Sequence, residues 1–291
     1  MSRIFALASA ALIAAAFAGT AQAQQPPTAT TKVEGTDNVY VFRYGGHQSM
    51  FIVTPAGVIA TDPISLRRPA KPYIDAIQAV TKAPIKYVIY SHSHYDHIAG
   101  GKPFKDMGAI FVAHRNAKAR LMALKPADIV IPDQVVDGKK NITLGGTTLE
   151  LNYVGKNHSD NMLVMRLPKE KVMFTVDWIP IQSVQFRGMA DTYLPDTEEG
   201  LKKVIAMDWK TLIPGHPGPG GKATGTKEDA SNQLAYLQDL SAAVKKEVDA
   251  GKSYGDAQKD IKLQKYEKWG GYENFLPMNI ERYFDFWNRG I

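Results

Sequence analysis

Hydrophobic and polar positions follow two different periods along this chain. Val39 to Tyr44, Gln48 to Val53 and Gly57 to Ala60 are short β-rich runs, separated by Gly45-Gly46 and Pro55-Ala56-Gly57, which predicts strands joined by tight turns. After Asp62-Pro63 the period lengthens, and Tyr73, Ile74, Ile77 and Val80 recur at helical spacing. Ile85 to Tyr90 is a short apolar run behind Pro84 and suits a buried strand. The alternation continues with a strand over Ala109 to Ala113, a helix over Asn116 to Leu124, and hairpins in residues 133–153 that turn at Asp137-Gly138 and Gly145-Gly146. Met162 to Leu167 and Lys171 to Val176 read as strands, Glu198 to Met207 as a helix and Thr211 to Pro214 as a strand. A longer amphipathic helix follows Lys227, with Leu234, Leu237, Leu240 and Val244 on one stripe. Residues 26–32 read as a flexible lead-in, and Ile280 to Trp287 as a packed helix or part of an interface. Strands and helices mix throughout with neither repeat nor linker, which predicts an α/β sandwich rather than separate domains.

The first 23 residues stand outside this pattern. Met1-Ser2-Arg3 is a short positive start, Ile4 to Ala18 is apolar or small, and Ala21-Gln22-Ala23 precedes polar Gln24-Gln25. That is the layout of a secretory signal peptide, and the apolar run is too short for a membrane anchor. The expectation is cleavage after Ala23, export to the periplasm, and a mature single domain over residues 24–291 with no membrane span.

Composition narrows the chemistry. Among 291 residues, 44% are hydrophobic and 22% charged, which is the balance of a folded globular protein. The net charge of +6 comes from scattered residues such as Lys139-Lys140 and Lys202-Lys203, with no basic run, so no nucleic-acid partner is expected. Cysteine is absent, which removes disulfides, thiolate catalysis and thiolate-ligated metals. Any bound metal must take nitrogen and oxygen ligands.

Such ligands cluster in four islands, each just after a strand-like segment. The first is His92-Ser93-His94-Tyr95-Asp96-His97, where His92 and His94 sit two apart and so share one side of an extended strand end. The others are His158, Asp177 and His216. Imidazoles suit zinc, carboxylates can complete or bridge a site, and strand ends hold ligands rigidly while loops leave one side open.

The H-x-H-x-D-H run of His92 to His97, followed by a lone His158, Asp177 and a late Gly215-His216, resembles the metallo-β-lactamase superfamily over roughly Val39 to His216. The resemblance implies a four-layer αββα sandwich, two mixed β-sheets face to face with helices on the outer faces, and a two-metal site on one edge. It implies His92, His94 and His158 as ligands of one Zn²⁺ and Asp96, His97 and His216 of a second, with Asp177 bridging; iron or manganese would fit the same donors. Lactamases of this fold carry Cys or Ser at the Asp177 position, so Asp177 resembles the glyoxalase II, lactonase and organophosphate-hydrolase branches. The implied activity is hydrolysis of an ester, lactone, thioester or related bond in a small molecule by a hydroxide shared between the ions. Asp96 would orient that hydroxide and pass a proton to the leaving group. The alternatives are β-lactam hydrolysis and, in another class, a mono-iron thiol or persulfide dioxygenase.

Around these ligands, Asp62 ends a strand where the family commonly supports the metal site. His47 lies in a hairpin that overhangs it, either as a solvated loop residue or as a substrate contact. Trp178, Phe186, Met189 and Tyr193 follow Asp177 as candidate pocket walls or as core and lid packing, the commoner role of such residues. His114 reads as a structural helix-entry residue, and Ser159 and Ser183 lack the context of a nucleophile. The oligomeric state is not encoded in any pattern along the chain.

Overall fold

Most strands of this protein are buried on both faces, and their alternating side chains feed two separate cores. On the first sheet Val41, Met50, Ile52, Ile59, Ile89 and Val112 point one way, into a cluster that also holds Leu149, Met165, Met173 and Leu212 of the second sheet. Their sequence neighbours Phe42, Phe51, Val58, Val88 and Phe111 point the other way, onto Tyr73, Ile77, Phe104 and Leu121 of covering helices. The period-two alternation of a strand thus builds a layered sandwich.

The computed structural model describes residues 27–65 and 70–290, so the expected leader over residues 1–23 lies outside the described residues. The first sheet runs in chain order through β1 (Thr28–Lys32), β2 (Val39–Tyr44), β3 (His47–Thr54), β4 (Gly57–Thr61), β5 (Ile85–Ile89), β6 (Ile110–His114) and β7 (Gln134–Val136). It is antiparallel from β1 to β4 and parallel from β4 to β7. The second sheet contains β8 (Lys139–Leu144), β9 (Thr147–Asn152), β10 (Val164–Leu167), β11 (Val172–Thr175), β12 (Thr211–Pro214) and β13 (Gly225–Thr226), in the order β13-β12-β11-β10-β9-β8. Here only β11 and β12 pair in parallel.

The helices α1 (Lys71–Val80), α2 (Tyr95–Ile98), α3 (Gly101–Asp106) and α4 (Arg115–Leu124) belong to the first half of the chain. The second half carries α5 (Asp196–Ala206), α6 (Lys227–Asp249), α7 (Tyr254–Asp260) and α8 (Tyr272–Arg289). A capping box starts α6, in which Thr226 N–H donates to Asp229 Oδ2 at 2.8 Å. None of the described helices is long and apolar enough to cross a membrane.

Two expectations from the sequence change, and one choice between two readings, the C-terminal stretch, is settled. Within the lead-in, Thr28–Lys32 forms an edge strand, β1, because its threonines pair in full register with β2. Residues 133–153 do not form successive hairpins: β7 runs parallel to β6, and the Asp137-Gly138 turn carries the chain across to the second sheet. The C-terminal stretch is a packed helix, α8, whose Leu276, Ile280 and Tyr283 join the core beside Tyr236 and Leu240.

Parallel pairing brings strand ends to one edge. Asp62 follows β4 and His92 follows β5, while Thr175 faces Pro214, so Asp177 and His216 each lie two residues beyond one register pair. Asp62 and Asp177 both turn through left-handed backbone, at φ +28 and +69, a conformation Asp tolerates better than most side chains.

Gly100 locks the metal-motif turn to the Asp62 strand end. Its N–H donates to Pro63 O at 2.8 Å, and a Cβ there would lie 2.2 Å from that same oxygen. Gly100→Ala is therefore expected to cost about 1–3 kcal/mol in denaturant unfolding. Gly138→Ala, where a Cβ meets nothing within 4 Å, should leave the midpoint unchanged.

Candidate metal centre

Two groups of donors meet at this edge. In the first, His92, His94, His158 and Asp177 each offer one ligand atom, all within 4.8 Å of one another. His94 Nδ1 lies 3.1 Å from His158 Nε2, and His92 Nε2 lies 3.2 Å from Asp177 Oδ2. The second group, under the same 4.8 Å limit, is His47, Asp96, His97 and His216. The single turn of α2 places Asp96 and His97 there, with His94 as its extended N-cap on the other side. Asp177 stands between the groups: Oδ2 is 3.2 Å from His97 Nε2 and 3.3 Å from His158 Nε2, and Oδ1 is 2.9 Å from His216 Nε2.

Hydrogen bonds on the far side of the rings decide which nitrogen faces the centre. His216 Nδ1 meets Gly46 O at 2.7 Å and His94 Nε2 meets Asp191 Oδ2 at 2.6 Å. Each acceptor requires a ring N–H, which leaves the opposite nitrogen bare for a ligand role. Ser91 Oγ donates to Asp62 Oδ2 at 2.6 Å and lies 2.9 Å from His92 Nδ1, whose N–H it therefore accepts. Asp62 Oδ1 also accepts from Ser91 N–H at 2.6 Å, and Oδ2 is 3.8 Å from His97 Nδ1. Asn161 Oδ1 accepts from Ser93 N–H at 2.9 Å and steadies the segment between the two motif histidines.

These donors fit a divalent ion. His92 Nε2, both ring nitrogens of His97 and Asp177 Oδ1 are buried without an aligned hydrogen bond. Such orphans cost about 1–3 kcal/mol each unless something coordinates them. An all-nitrogen-and-oxygen set of imidazoles and carboxylates suits zinc and its first-row neighbours.

Proton affinities in the cluster are shifted in opposing directions. Burial lowers His92 to about 3, against the pull of Asp177. Burial also acts to lower His97, but the carboxylates of Asp177, Asp96 and Asp62 raise it to about 9. Burial raises Asp62 to about 6, only partly opposed by His97 and the Ser91 hydrogen bonds. Asp177 stays well below the usual carboxylate range, because His97 and His216 outweigh its burial.

The remaining expected site residues scatter. Phe186 is 66% exposed and, with Met189, lines a cavity of about 930 Å³ that opens on the donors. Trp178 is not a pocket wall: it is 1% exposed in the core, with its ring 2.9 Å from where a Cβ on Gly200 would stand. Tyr193 lies outside that cavity, its ring 4.8 Å from Lys156 Nζ. His47 is not a solvated loop residue: its side chain is 12% exposed and Nε2 lies 3.1 Å from Asp96 Oδ2. His114 caps α4, accepting from Asn116 N–H at 3.3 Å.

Sequence reading missed Asp191, Ser91 and the far wall built by Phe275 and Met278 of α8. Ser91 was adjacent to the motif. Asp191 and α8 carry no local signal, since only the fold brings them here.

Two mixed β-sheets packed face to face, with paired nitrogen and oxygen donor groups at one edge, define a class of metalloprotein. The metallo-β-lactamase superfamily model matches residues 44–216, and the chain belongs to that family. Its members are metal-dependent hydrolases.

Among relatives, the chain is 25% identical over 198 residues to a 2,4-dinitroanisole O-demethylase subunit alpha of Nocardioides sp., covering 66% of this chain and 58% of that protein. It is 25% identical over 166 residues to a metallo-β-lactamase type 2 of Bacillus cereus, covering 56% and 64%. The chain thus spans about three fifths of the length of the curated relatives it matches.

Among solved structures, a metallo-β-lactamase from Pontibacter korlensis superposes with TM-score 0.62 at 20% identity, covering 73% of this chain and 99% of that one. A stereoselective inverting sec-alkylsulfatase from Pseudomonas sp. gives TM-score 0.70 at 13% identity, covering 89% of this chain and 50% of that one. At these identities the structures share the fold.

Asp62→Ala should weaken metal binding about 10–100-fold, read by chelator competition, because Ser91 and the His92 ring lose their anchor.

Proposed function

We propose that this chain is an exported hydrolase with two zinc ions, acting on an ester-type bond in a small molecule that carries an apolar group. The observation that carries this reading is the pair of donor groups joined at Asp177, at the floor of an apolar cavity. His92, His94 and His158 would hold one ion, Asp96, His97 and His216 the other, and Asp177 both. Bound there, the ions supply Lewis acidity to polarise the scissile bond and lower the pKa of water.

The protein's own residues do the rest. Asp177, its side chain only 10% exposed and its backbone left-handed, would offset the repulsion between two adjacent cations. Asp96 is the exposed carboxylate of the centre at 39%, lines the cavity, and is held low in pKa by the His47 hydrogen bond and His97 against its burial. It can orient the attacking water and carry a proton to the leaving group. Ile181, Val184, Phe186, Met189, Phe275 and Met278 hold the rest of the substrate and exclude water, and Arg187 is the only Lys or Arg among the described residues of the wall.

This lining favours an aryl or alkyl ester. A β-lactam bears a carboxylate, for which the described residues of the wall offer Arg187 as their one Lys or Arg. The sulfate ester and aryl ether named for two of the similar proteins agree with an apolar substrate. Purified protein should contain two zinc per chain and lose all hydrolysis on chelation. One iron per chain would overturn this reading in favour of the dioxygenase. A panel of carboxyl, sulfate and phosphate esters, lactones, thioesters and β-lactams would identify the bond.

Two substitutions test the assigned roles. Asp96→Asn is expected to lower kcat about 10²–10⁴-fold. Its total metal content should fall far less, as measured by elemental analysis. Phe275→Ala should raise KM for a bulky aryl ester about 3–10-fold while leaving a short alkyl ester unchanged in steady-state assays.

A further inference from the structure

The geometry points to His47 as a metal ligand, completing the second donor group as an additional imidazole beyond the residues of the H-x-H-x-D-H motif and His216. This inference rests on the two-ion reading above.

Position comes first. His47 Nε2 is 3.1 Å from Asp96 Oδ2, and Asp96 Oδ2 is 3.4 Å from His97 Nε2. The His47 ring stands 4.4 Å from the His216 ring and 5.3 Å from the His97 ring, centroid to centroid. One donor from each of the four residues therefore converges within 4.8 Å.

The chemistry then balances. Without His47 the second group offers two imidazoles beside Asp96, against three imidazoles in the first, with Asp177 lying between the two groups. With it, each group presents three imidazoles, and the added neutral ring leaves the formal charge of the second group unchanged.

The placement is also rigid. Gly45-Gly46 forms a two-residue turn with Gly45 at φ +59, which pairs Tyr44 with His47 and makes His47 the first residue of β3. Gln48 N–H donates to Gly215 O at 2.7 Å, and Gln48 Nε2 donates to Pro214 O and Ala223 O at 3.1 and 3.0 Å. On the other side Gly46 O accepts from His216 Nδ1 at 2.7 Å. The residues flanking His47 are thus tied to the residues around His216, so the two rings keep one spacing. A side chain that only touched substrate from a mobile hairpin would need none of these bonds.

The competing role is positional, with His47 merely donating to Asp96. Cobalt(II) separates the two, titrated into metal-free wild type, His47→Ala and His47→Asn against a chromophoric chelator. A ligand role predicts two cobalt ions in wild type and an unchanged tighter ion in both variants. The second ion should bind at least about tenfold more weakly, with a changed visible spectrum, even in His47→Asn, whose amide still offers a donor to Asp96.

Wild-type affinity and spectrum for the second ion in His47→Asn would overturn the assignment and leave His47 as a positioning residue. Wild type saturating at one cobalt would overturn the two-ion reading itself, and this one with it. A measurement on wild type alone gives a further check should the variants fold poorly. Paramagnetically shifted proton signals of the dicobalt protein should report six ligating imidazoles, those of His47, His92, His94, His97, His158 and His216, whereas five would refute the ligand role.

Discussion

A single, largely enclosed carboxylate organises this molecule's candidate metal centre. Asp177 touches His92, His97, His158 and His216 within 3.3 Å, and these histidines come from three separate segments of the chain. The sheets must present those segments at one edge before Asp177 can meet them. Parallel pairing in each sheet achieves this: β4 and β5 end together, and so do β11 and β12. Ligand sites at strand ends are common in α/β folds because backbone register is stiff where the side chains emerge. Here two main-chain hydrogen bonds tie the sheets directly beside the donors, Leu163 N–H to Ser91 O and Gln48 N–H to Gly215 O, both 2.7 Å.

This arrangement couples folding to metal binding. Burial, reinforced by the neighbouring imidazoles, lowers His92 and His158, while the carboxylates pull His97 the other way. No single proton assignment satisfies every donor, and several stay buried without hydrogen bonds. A divalent charge answers all of these demands at once. Its binding energy therefore adds to the stability of the folded state, which alone assembles the site. With no cysteine in the chain, no disulfide can hold its shape, which leaves core packing and, on the proposed reading, such a centre.

Much of the fold was legible because it is periodic. Strands β2 to β6 and the helices α1, α4, α5 and α6 follow from alternation and amphipathic spacing, since both sheet faces of β2 to β6 must be apolar to be covered. The donor islands were legible because histidines at strand ends are chemically loud. What escaped was set by tertiary placement. Trp178 follows Asp177 directly, yet the backbone reverses at φ +69 and sends its ring into the core. Asp191 is an ordinary loop acid until the fold sets it 2.6 Å from His94. Nothing in the residues around His47 states that its hairpin is bound to the His216 loop. The β7 crossing escaped because Asp137-Gly138 reads equally well as a hairpin turn.

Chemistry and recognition come from different parts of the chain. Every histidine and aspartate of the two donor groups lies within residues 44–216, the span that matches the family. The far cavity wall lies beyond it, in Gly270, Gly271, Phe275 and Met278 at the start of α8. Phe275 meets Phe186 of the loop after Asp177, ring centroids 5.0 Å apart and edge to face, so the two regions close over the donors together. Asn279 ties them further, donating to Gln185 O at 3.0 Å and Tyr236 Oη at 2.8 Å from a fully buried position. A centre that polarises any bond placed against it has little selectivity of its own. Selectivity must come from the surface that orients the substrate, and in this protein that surface is apolar and held by α8. On the proposed reading, the donor groups set the reaction type, while α8 and the Phe186 loop determine which molecule undergoes it.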